Sequence, residues 1–215
     1  MKTLLDFYHW IRDVRGLVAW GGYLGMSLIV FAETGLLIGF FLPGDSLIVT
    51  AGLLAATSGV VNVYLLGLLL TVASILGNTV GYAIGVATGP RLFTRENSLL
   101  FNKKHLNRAH AFYEEHGGLT IILARFMPIV RTFVPVVAGI GQMEYRRYMQ
   151  YNVVGGVAWI WSMLFIGYFL GRYIPGVDKH IEVVILLVIF VSFLPGIIGW
   201  WRHRATDPEA DALSK

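Results

Sequence analysis

The chain of 215 residues is 56% hydrophobic and only 14% charged, with a mean hydropathy of +0.65. Soluble domains carry roughly a quarter of charged residues, so this composition excludes a soluble protein and predicts an all-α polytopic membrane protein. The net charge of +4 is explained by basic loops on the cytosolic side of a membrane, without a nucleic-acid partner. Cysteine is absent, which excludes disulfides and thiolate metal sites. We expect no metal or cofactor.

In chain order, residues 1–15 form a predicted amphipathic helix, because their apolar side chains recur with a helical period and charges fill the gaps. This helix suits the plane of the membrane interface, or a soluble cap over the membrane domain. Residues 16–204 are predicted to form a single integral membrane domain. Residues 205–215 are predicted to form a polar cytosolic tail.

The stretch from Gly16 to Pro90 contains two formal charges, Glu33 and Asp45, with Pro43-Gly44 between them. Proline lacks an N–H and glycine adopts backbone angles closed to other residues, so a membrane helix does not continue here undisturbed. An acid at membrane depth costs at least about 2.5 kcal/mol and usually faces a cavity, a partner or water. The pattern predicts a re-entrant, broken hairpin with acids near its tip. The alternative is an ordinary loop between two spanning helices, with Asp45 at the surface.

Segment lengths favour the hairpin. A hydrocarbon core of about 30 Å requires about 20 helical residues, and the segments 23–39 and 46–58 are short, whereas 62–89 is long enough. A glycine recurs every fourth residue in this first full crossing and lets another helix approach closely. These glycines are Gly77, Gly81, Gly85 and Gly89. Asn78 and Tyr82 lie beside them, as polar packing or as part of a substrate path.

Residues 91–118 form the largest polar segment, and their excess of lysine and arginine predicts the cytosolic side. Three histidines lie here, at 105, 110 and 116, but their spacing does not place them on one helix face with a carboxylate. We therefore interpret this segment as an amphipathic interfacial helix and not as a metal site.

A second broken helix is predicted around Pro128 and Pro135, where Arg125 and Arg131 interrupt the apolar run 119–143. In a straight helix six residues would set the two arginines about 240° apart, whereas breaks at the prolines could turn both towards one point. The planar guanidinium fork suits phosphate. The alternative is that both arginines extend to a membrane interface.

The remaining segments complete a repeated plan. A spanning helix is predicted at 148–171, a loop at 172–182 and a last crossing at 183–201, followed by basic residues that favour a cytosolic C-terminus. Each half then has a hairpin broken at proline and a long crossing. The predicted fold is an inverted repeat with two re-entrant hairpins, about three full transmembrane helices and amphipathic interfacial helices.

Several motifs resemble those of the bacterial DedA family of VTT-domain membrane proteins. They are Glu33 followed by Phe-Leu-Pro-Gly-Asp at 41–45, Phe-Tyr-Glu at 112–114 with His-Gly-Gly at 116–118, Ala-Arg-Phe-Met-Pro-Ile-Val-Arg-Thr at 124–132, Ala-Gly at 138–139 and Asn152. The resemblance covers about residues 17–204. It implies an inner-membrane transporter with two re-entrant hairpins, which returns undecaprenyl phosphate across the membrane, depends on the proton or sodium gradient and maintains envelope integrity.

The resemblance also implies that the functional acids are Glu33 and Asp45 and the functional arginines Arg125 and Arg131. At the position where many members of the family have Gly-Asp, this chain has Gly77-Asn78. Asparagine can form hydrogen bonds but carries no titratable proton. The expected partners are membrane lipids, a polyprenyl phosphate, and protons or sodium, with a homo-oligomer left open.

Our mechanistic hypothesis is that Arg125 and Arg131 bind the lipid phosphate, while Glu33 and Asp45 balance both arginines in the empty site. When phosphate displaces the carboxylates, one or both take up a proton. One rival is a cation/proton antiporter that maintains membrane potential and pH homeostasis. A lipid phosphatase or transferase is disfavoured, because none of the six histidines lies near either hairpin. A scaffold with buried ion pairs is the third alternative.

Overall fold

The computed structural model describes residues 14–36, 44–57, 61–92 and 118–174, with the short pieces 176–177, 183–184 and 186–187. The helices of these ranges are α1 Val14–Gly35, α2 Gly44–Thr57, α3 Val63–Leu92, α4 Leu119–Ala124, α5 Pro128–Ile140 and α6 Tyr145–Tyr173. Most of the amphipathic N-terminal segment, Pro43, most of the polar segment 91–118, most of the predicted last crossing and the C-terminal tail lie outside the described residues.

Among the described residues, two helices, α3 and α6, are long and apolar enough to cross a membrane. They match the crossings predicted at 62–89 and 148–171. Helix α6 begins three residues earlier than predicted, so Arg146 and Arg147 lie in its first turn and not in a separate polar turn.

Three of the helices packed beside these two long ones, α2, α4 and α5, are short. Helix α2 has 14 residues and α5 has 13, so each spans about 20 Å, less than a hydrocarbon core of about 30 Å. Helix α1 is interrupted at Gly22, whose φ of 50° and ψ of −151° are not helical. Glycine adopts this backbone conformation without the steric clash that a Cβ would cause.

Of the two helix breaks predicted at Pro128 and Pro135, the first is present and the second prediction is wrong. The helix ends at Ala124 and restarts at Pro128, which occupies the first turn of α5, where its missing N–H costs nothing. Pro135, however, lies inside α5, which continues to Ile140. A proline there deprives only the Arg131 carbonyl of its helical donor, and the ring packs on Gly81 of α3.

Packing follows a reciprocal pattern. The short helix α2 packs along α6, and α5 packs along α3, whereas α1 packs on α3 and α4 packs on α6. The two long helices also contact each other. The main apolar core lies between α1, α2, α3 and α6 and includes Met26, Leu47, Leu66 and Leu164.

The helix–helix crossing between α2 and α6 depends on glycine. A Cβ at Gly52 would overlap the carbonyl oxygen of Leu164, and a Cβ at Gly167 would overlap that of Val49. The two backbones therefore approach more closely than any other residue at these positions would allow.

The helix–helix crossing between α5 and α3 has glycine contacts equivalent to those between α2 and α6, with the same spacing along both helices. A Cβ at Gly139 would overlap the carbonyl oxygen of Tyr82, and one at Gly85 would overlap that of Val136. Gly139 takes the place of Gly52, and Gly85 takes the place of Gly167. The correspondence continues one turn later, where Gly171 faces Leu53 and Gly89 faces Ile140.

Candidate functional site

The four charged residues singled out from the sequence meet in one buried cluster. The exposed fractions are 1% for Glu33, 6% for Asp45, 2% for Arg125 and 4% for Arg131. Glu33 lies near the end of α1, Asp45 in the first turn of α2, Arg125 directly after α4 and Arg131 in the first turn of α5. The cluster therefore lies where four short or interrupted helices begin or end.

Arg131 binds both acids through its guanidinium fork. Its Nη1 donates to Asp45 Oδ1 at 2.6 Å, and its Nη2 donates to Glu33 Oε1. The ring of Trp159 on α6 lies 4.6 Å from the guanidinium carbon, a cation–π contact. The Nε1 of Trp159 also donates to Asp45 Oδ1 at 2.9 Å, so this buried indole holds both members of the ion pair.

The backbone at the start of α2 makes room for the acids. Gly44 lies against the Glu33 side chain so closely that a Cβ at this position would overlap the carboxyl group. Asp45 occupies the first turn of α2, where the helix dipole favours negative charge.

Arg125 has a different set of partners, all neutral in the described part of the chain. Its Nη1 donates to Ser74 Oγ at 2.9 Å, and its Nη2 donates to the backbone oxygen of Asn152 at 3.1 Å and to Asn152 Oδ1. With its amide oxygen turned towards Arg125, Asn78 accepts from Nη2 at 2.8 Å and donates to the Thr34 carbonyl at 3.1 Å.

Small residues accommodate this guanidinium group. A Cβ at Gly155 would lie 3.0 Å from the Arg125 Cδ, and one at Gly156 would lie 3.3 Å from Ser74 Oγ. Asn152 is itself fixed, because its Nδ2 donates to the Ile75 carbonyl at 3.2 Å. Arg125 therefore extends between α3 and α6 in a polar niche to which the described residues contribute no carboxylate.

Three buried polar atoms of the cluster have no hydrogen-bond partner among the described residues: Glu33 Oε2, Arg125 Nε and Arg131 Nε. Buried charged groups are normally fully hydrogen-bonded, and each unpaired atom costs free energy. The cluster thus retains two N–H groups that could donate hydrogen bonds to an anion. It also retains a carboxylate oxygen that could bind a proton or a cation.

The structure places the remaining predicted residues as follows. Asn78 belongs to the cluster, whereas Tyr82 does not: its hydroxyl donates to the Met143 carbonyl at 2.5 Å, and its ring stacks on Tyr148 at 4.5 Å. Pro128 starts α5 and so creates the break beside Arg125. From the sequence we hypothesised that the two acids balance both arginines. In the structure both carboxylates instead bind Arg131.

Sequence reasoning did not assign site roles to Trp159, Ser74 or Asn152. Trp159 carried a signal, since membrane tryptophans favour the interfaces and this one lies in the middle of a spanning segment. Asn152 was noted only as part of a motif. Ser74 gave no signal, because a serine in an apolar helix usually bonds to its own backbone.

The VTT domain model matches residues 42–169, from just before α2 to near the end of α6. The chain belongs to this family. Protein DedA of Escherichia coli (strain K12) is 47% identical over 212 residues, which cover 96% of each chain. An uncharacterized membrane protein of Mycobacterium leprae (strain TN) is 46% identical over 202 residues, covering 94% of this chain and 89% of the relative.

The inner membrane protein YqjA of Escherichia coli (strain K12) is more distant, at 34% identity over 189 residues and 85% of each chain. No solved structure matches the chain. The family assignment agrees with the two long apolar helices: this is a membrane protein of the DedA group. The matched domain contains Asp45, Arg125 and Arg131, and Glu33 precedes it.

Proposed function

We propose that the protein is an inner-membrane transporter that moves a polyprenyl phosphate of the undecaprenyl phosphate class across the bilayer for envelope synthesis, coupled to the proton or sodium gradient. The observation that carries the proposal is the single buried cluster of Glu33, Asp45, Arg125 and Arg131. Ionisable residues at membrane depth mark substrate and ion pathways more often than folding contacts.

Phosphate is the substrate chemistry that best fits the donors. Guanidinium groups present planar forks that bind phosphate oxygens in pairs, and the Nε atoms of Arg125 and Arg131 have no partner among the described residues. A polyprenyl tail needs no closed pocket, because it can remain in the lipid while the head group crosses.

Movement of the head group would require the two halves to rock, as in transporters built from inverted repeats. The equivalent glycine contacts of the α2–α6 and α5–α3 crossings support this arrangement. In this register Gly44 of α2 corresponds to Arg131 of α5, so two equivalent helix starts meet at the ion pair. Both α2 and α5 are too short to span, which supports two re-entrant hairpins.

Coupling follows from the shared use of Arg131. While both carboxylates are ionised, they hold its fork. Protonation of Glu33 or Asp45 weakens that hold, and the freed donors can bind phosphate. Each transport cycle would then carry protons together with the head group.

We further propose a multi-pass topology in the inner membrane, with the C-terminus in the cytosol, and a function in transport and not in catalysis. A phosphatase or transferase needs a nucleophile or a metal, and the sequence places no histidine at either hairpin.

A cation/proton antiporter remains the second candidate, because Glu33 and Asp45 converge on one point and Glu33 Oε2 lacks a hydrogen-bond partner in the described residues. Liposomes that contain the purified protein separate the two functions. We expect a pH gradient to drive translocation of polyprenyl phosphate, with little cation flux when the lipid is absent.

The matched control is Arg147→Gln, which changes an exposed arginine on α6 and should leave translocation unchanged, whereas Arg125→Gln should abolish it. Rapid cation exchange without lipid phosphate, and no translocation with it, would replace the transporter by the antiporter.

A further inference from the structure

The two buried arginines differ in how their charge is compensated. Arg131 is held by two carboxylates and an indole ring. Arg125 is equally buried, yet its partners in the described part of the chain are a hydroxyl, a backbone carbonyl and two amide oxygens. The positive charge of the site is therefore concentrated at Arg125, and the group around Arg131 carries a net negative charge when both acids are ionised.

We infer that the arginines act in sequence: Arg125 is the standing site for the phosphate anion in the resting protein, and Arg131 joins only after Glu33 or Asp45 releases it. This inference rests on the proposed function and assigns each arginine a separate step of it.

Availability of donors supports this order. An anion at Arg125 can use the unpartnered Nε and displace only neutral partners, whose hydrogen bonds are weaker than those of ionised groups. An anion at Arg131 must instead displace two charge-assisted bonds. It also approaches two carboxylates, one of which, Asp45, is fixed by Trp159.

Electrostatics supports the same order. Asn78 accepts from Arg125 and donates to the carbonyl of Thr34, the residue after Glu33. An anion held by Arg125 therefore lies near the ion pair of Glu33 and Arg131. A phosphate there repels Glu33 and Asp45 and favours their protonation, which releases Arg131. The first binding step thereby prepares the second, and the proton is taken up between them.

The charged and titratable groups that face the two arginines come from several elements. Glu33 lies on α1, Asp45 on α2 and Tyr148 on α6. The hydroxyl of Tyr148 donates to the Asn78 carbonyl at 2.8 Å. Helix α3 contributes the neutral side chains of Ser74 and Asn78. Among these groups the two acids directly compete with an anion for Arg131.

A single substitution can give Arg125 a carboxylate partner, which none of the described residues supplies. Ser74 Oγ is 2.9 Å from Arg125 Nη1, so Ser74→Asp places a carboxylate at this guanidinium group, and Ser74→Asn has the same size without the charge. The full-length protein in lipid nanodiscs is titrated with farnesyl phosphate, with farnesol, which has the chain alone, and with inorganic phosphate, which has the anion alone.

At pH 8 we expect Ser74→Asp to bind farnesyl phosphate at least about tenfold more weakly than Ser74→Asn, with equal binding of farnesol. Inorganic phosphate should show the same ratio if the site reads the anion, and no binding if the lipid chain is also required. Glu33→Gln should bind farnesyl phosphate more tightly than the wild type at pH 8, because Arg131 is partly released.

Equal binding of farnesyl phosphate by Ser74→Asp and Ser74→Asn would overturn the standing role of Arg125, while the proposed function survives if the wild type still prefers farnesyl phosphate to farnesol. A wild type without that preference would overturn both. Should Ser74→Asp not fold, Arg125→Lys provides the second comparison: it must weaken binding at pH 8 more than Arg131→Lys does, and the reverse order contradicts the inference.

Discussion

At the scale of single residues, the site combines Arg131, which binds two carboxylates, with Arg125, whose partners among the described residues are all neutral. Arg131 uses its fork to join helices α1 and α2, and Trp159 connects this ion pair to α6. Arg125 connects α3 with α6 through Ser74 and Asn152. Each guanidinium group therefore has structural contacts as well as a proposed role in binding, and the predictions below separate the two.

We predict that Arg131→Lys does not restore function, although it keeps the charge. An ammonium group lacks the planar fork that reaches Glu33 and Asp45 together, and it stacks less well on Trp159. Translocation in liposomes should fall by about tenfold or more, on the scale of losing one strong charge-assisted bond. Arg147→Lys, at an exposed position, is the control. Full translocation by Arg131→Lys would reduce Arg131 to a point charge.

Glu33→Gln and Asp45→Asn should insert and accumulate but lose translocation and its dependence on pH, because the amides keep volume and hydrogen bonding without a titratable proton. For each variant, its abundance in the membrane and its ability to complement cells that lack the protein are measured together across a range of pH.

A scaffold role makes a different prediction for these two variants, namely that activity follows abundance. A variant that is abundant and fully active at every pH would eliminate proton coupling, although phosphate binding by the arginines would survive.

The sequence predicted the four charged residues because charge is conspicuous in an apolar chain. It could not predict their pairing. Whether Glu33 bonds to Arg125 or Arg131 depends on how α1 packs against α3 and α5, which no local pattern specifies. Trp159 was missed for the same reason, since its role depends on a neighbour 114 positions away. The break at Pro135 was predicted wrongly, because a proline inside a helix is tolerated when its ring packs well, here on Gly81.

At the scale of helices, the positions of the two long helices were predictable, whereas the pairs of helices that pack together were not. Segment lengths and glycine spacing indicated a close approach along α3, but only the packed helices show that α2 lies on α6 and α5 on α3. Each pair is fixed by two glycines whose missing side chains let the backbones touch.

Gly52→Ala and Gly139→Ala should each destabilise the protein by about 1–3 kcal/mol, the usual cost of overpacking. The added methyl group would overlap a backbone carbonyl on α6 or α3. The equivalence of the crossings predicts similar losses in the two variants, measured as thermal unfolding in detergent. Gly25→Ala is the control, because a Cβ there meets nothing within 4 Å. A wild-type melting temperature for either crossing variant would show that the helices separate without cost.

At the scale of the whole molecule, the proposed hairpins and the two long helices together predict a topology. Reporter fusions after Arg95 and after Ala205 should report the same, cytosolic side, because Arg95 lies within the basic segment 91–118 and Ala205 directly follows a basic run. Opposite sides would break the inverted-repeat arrangement.

Since the chain has no cysteine of its own, single cysteines at 40–46 and 127–132 test the hairpins directly. We expect each set to label from one side only, and the two sets from opposite sides. Labelling of 23–39 and 46–58 as two complete crossings would contradict a re-entrant first hairpin.

The matched register of the two crossings has a consequence for the ancestry of the site. If both halves descend from one duplicated unit, Gly44 and Arg131 occupy the same ancestral position, and so do Asp45 and Thr132. In a symmetric pair of identical units each contact between two different positions occurs twice, so an acid that follows an arginine would form two equivalent bonds. This chain has one such bond, between Asp45 and Arg131, because Gly44 and Thr132 stand where the second arginine and the second acid would lie.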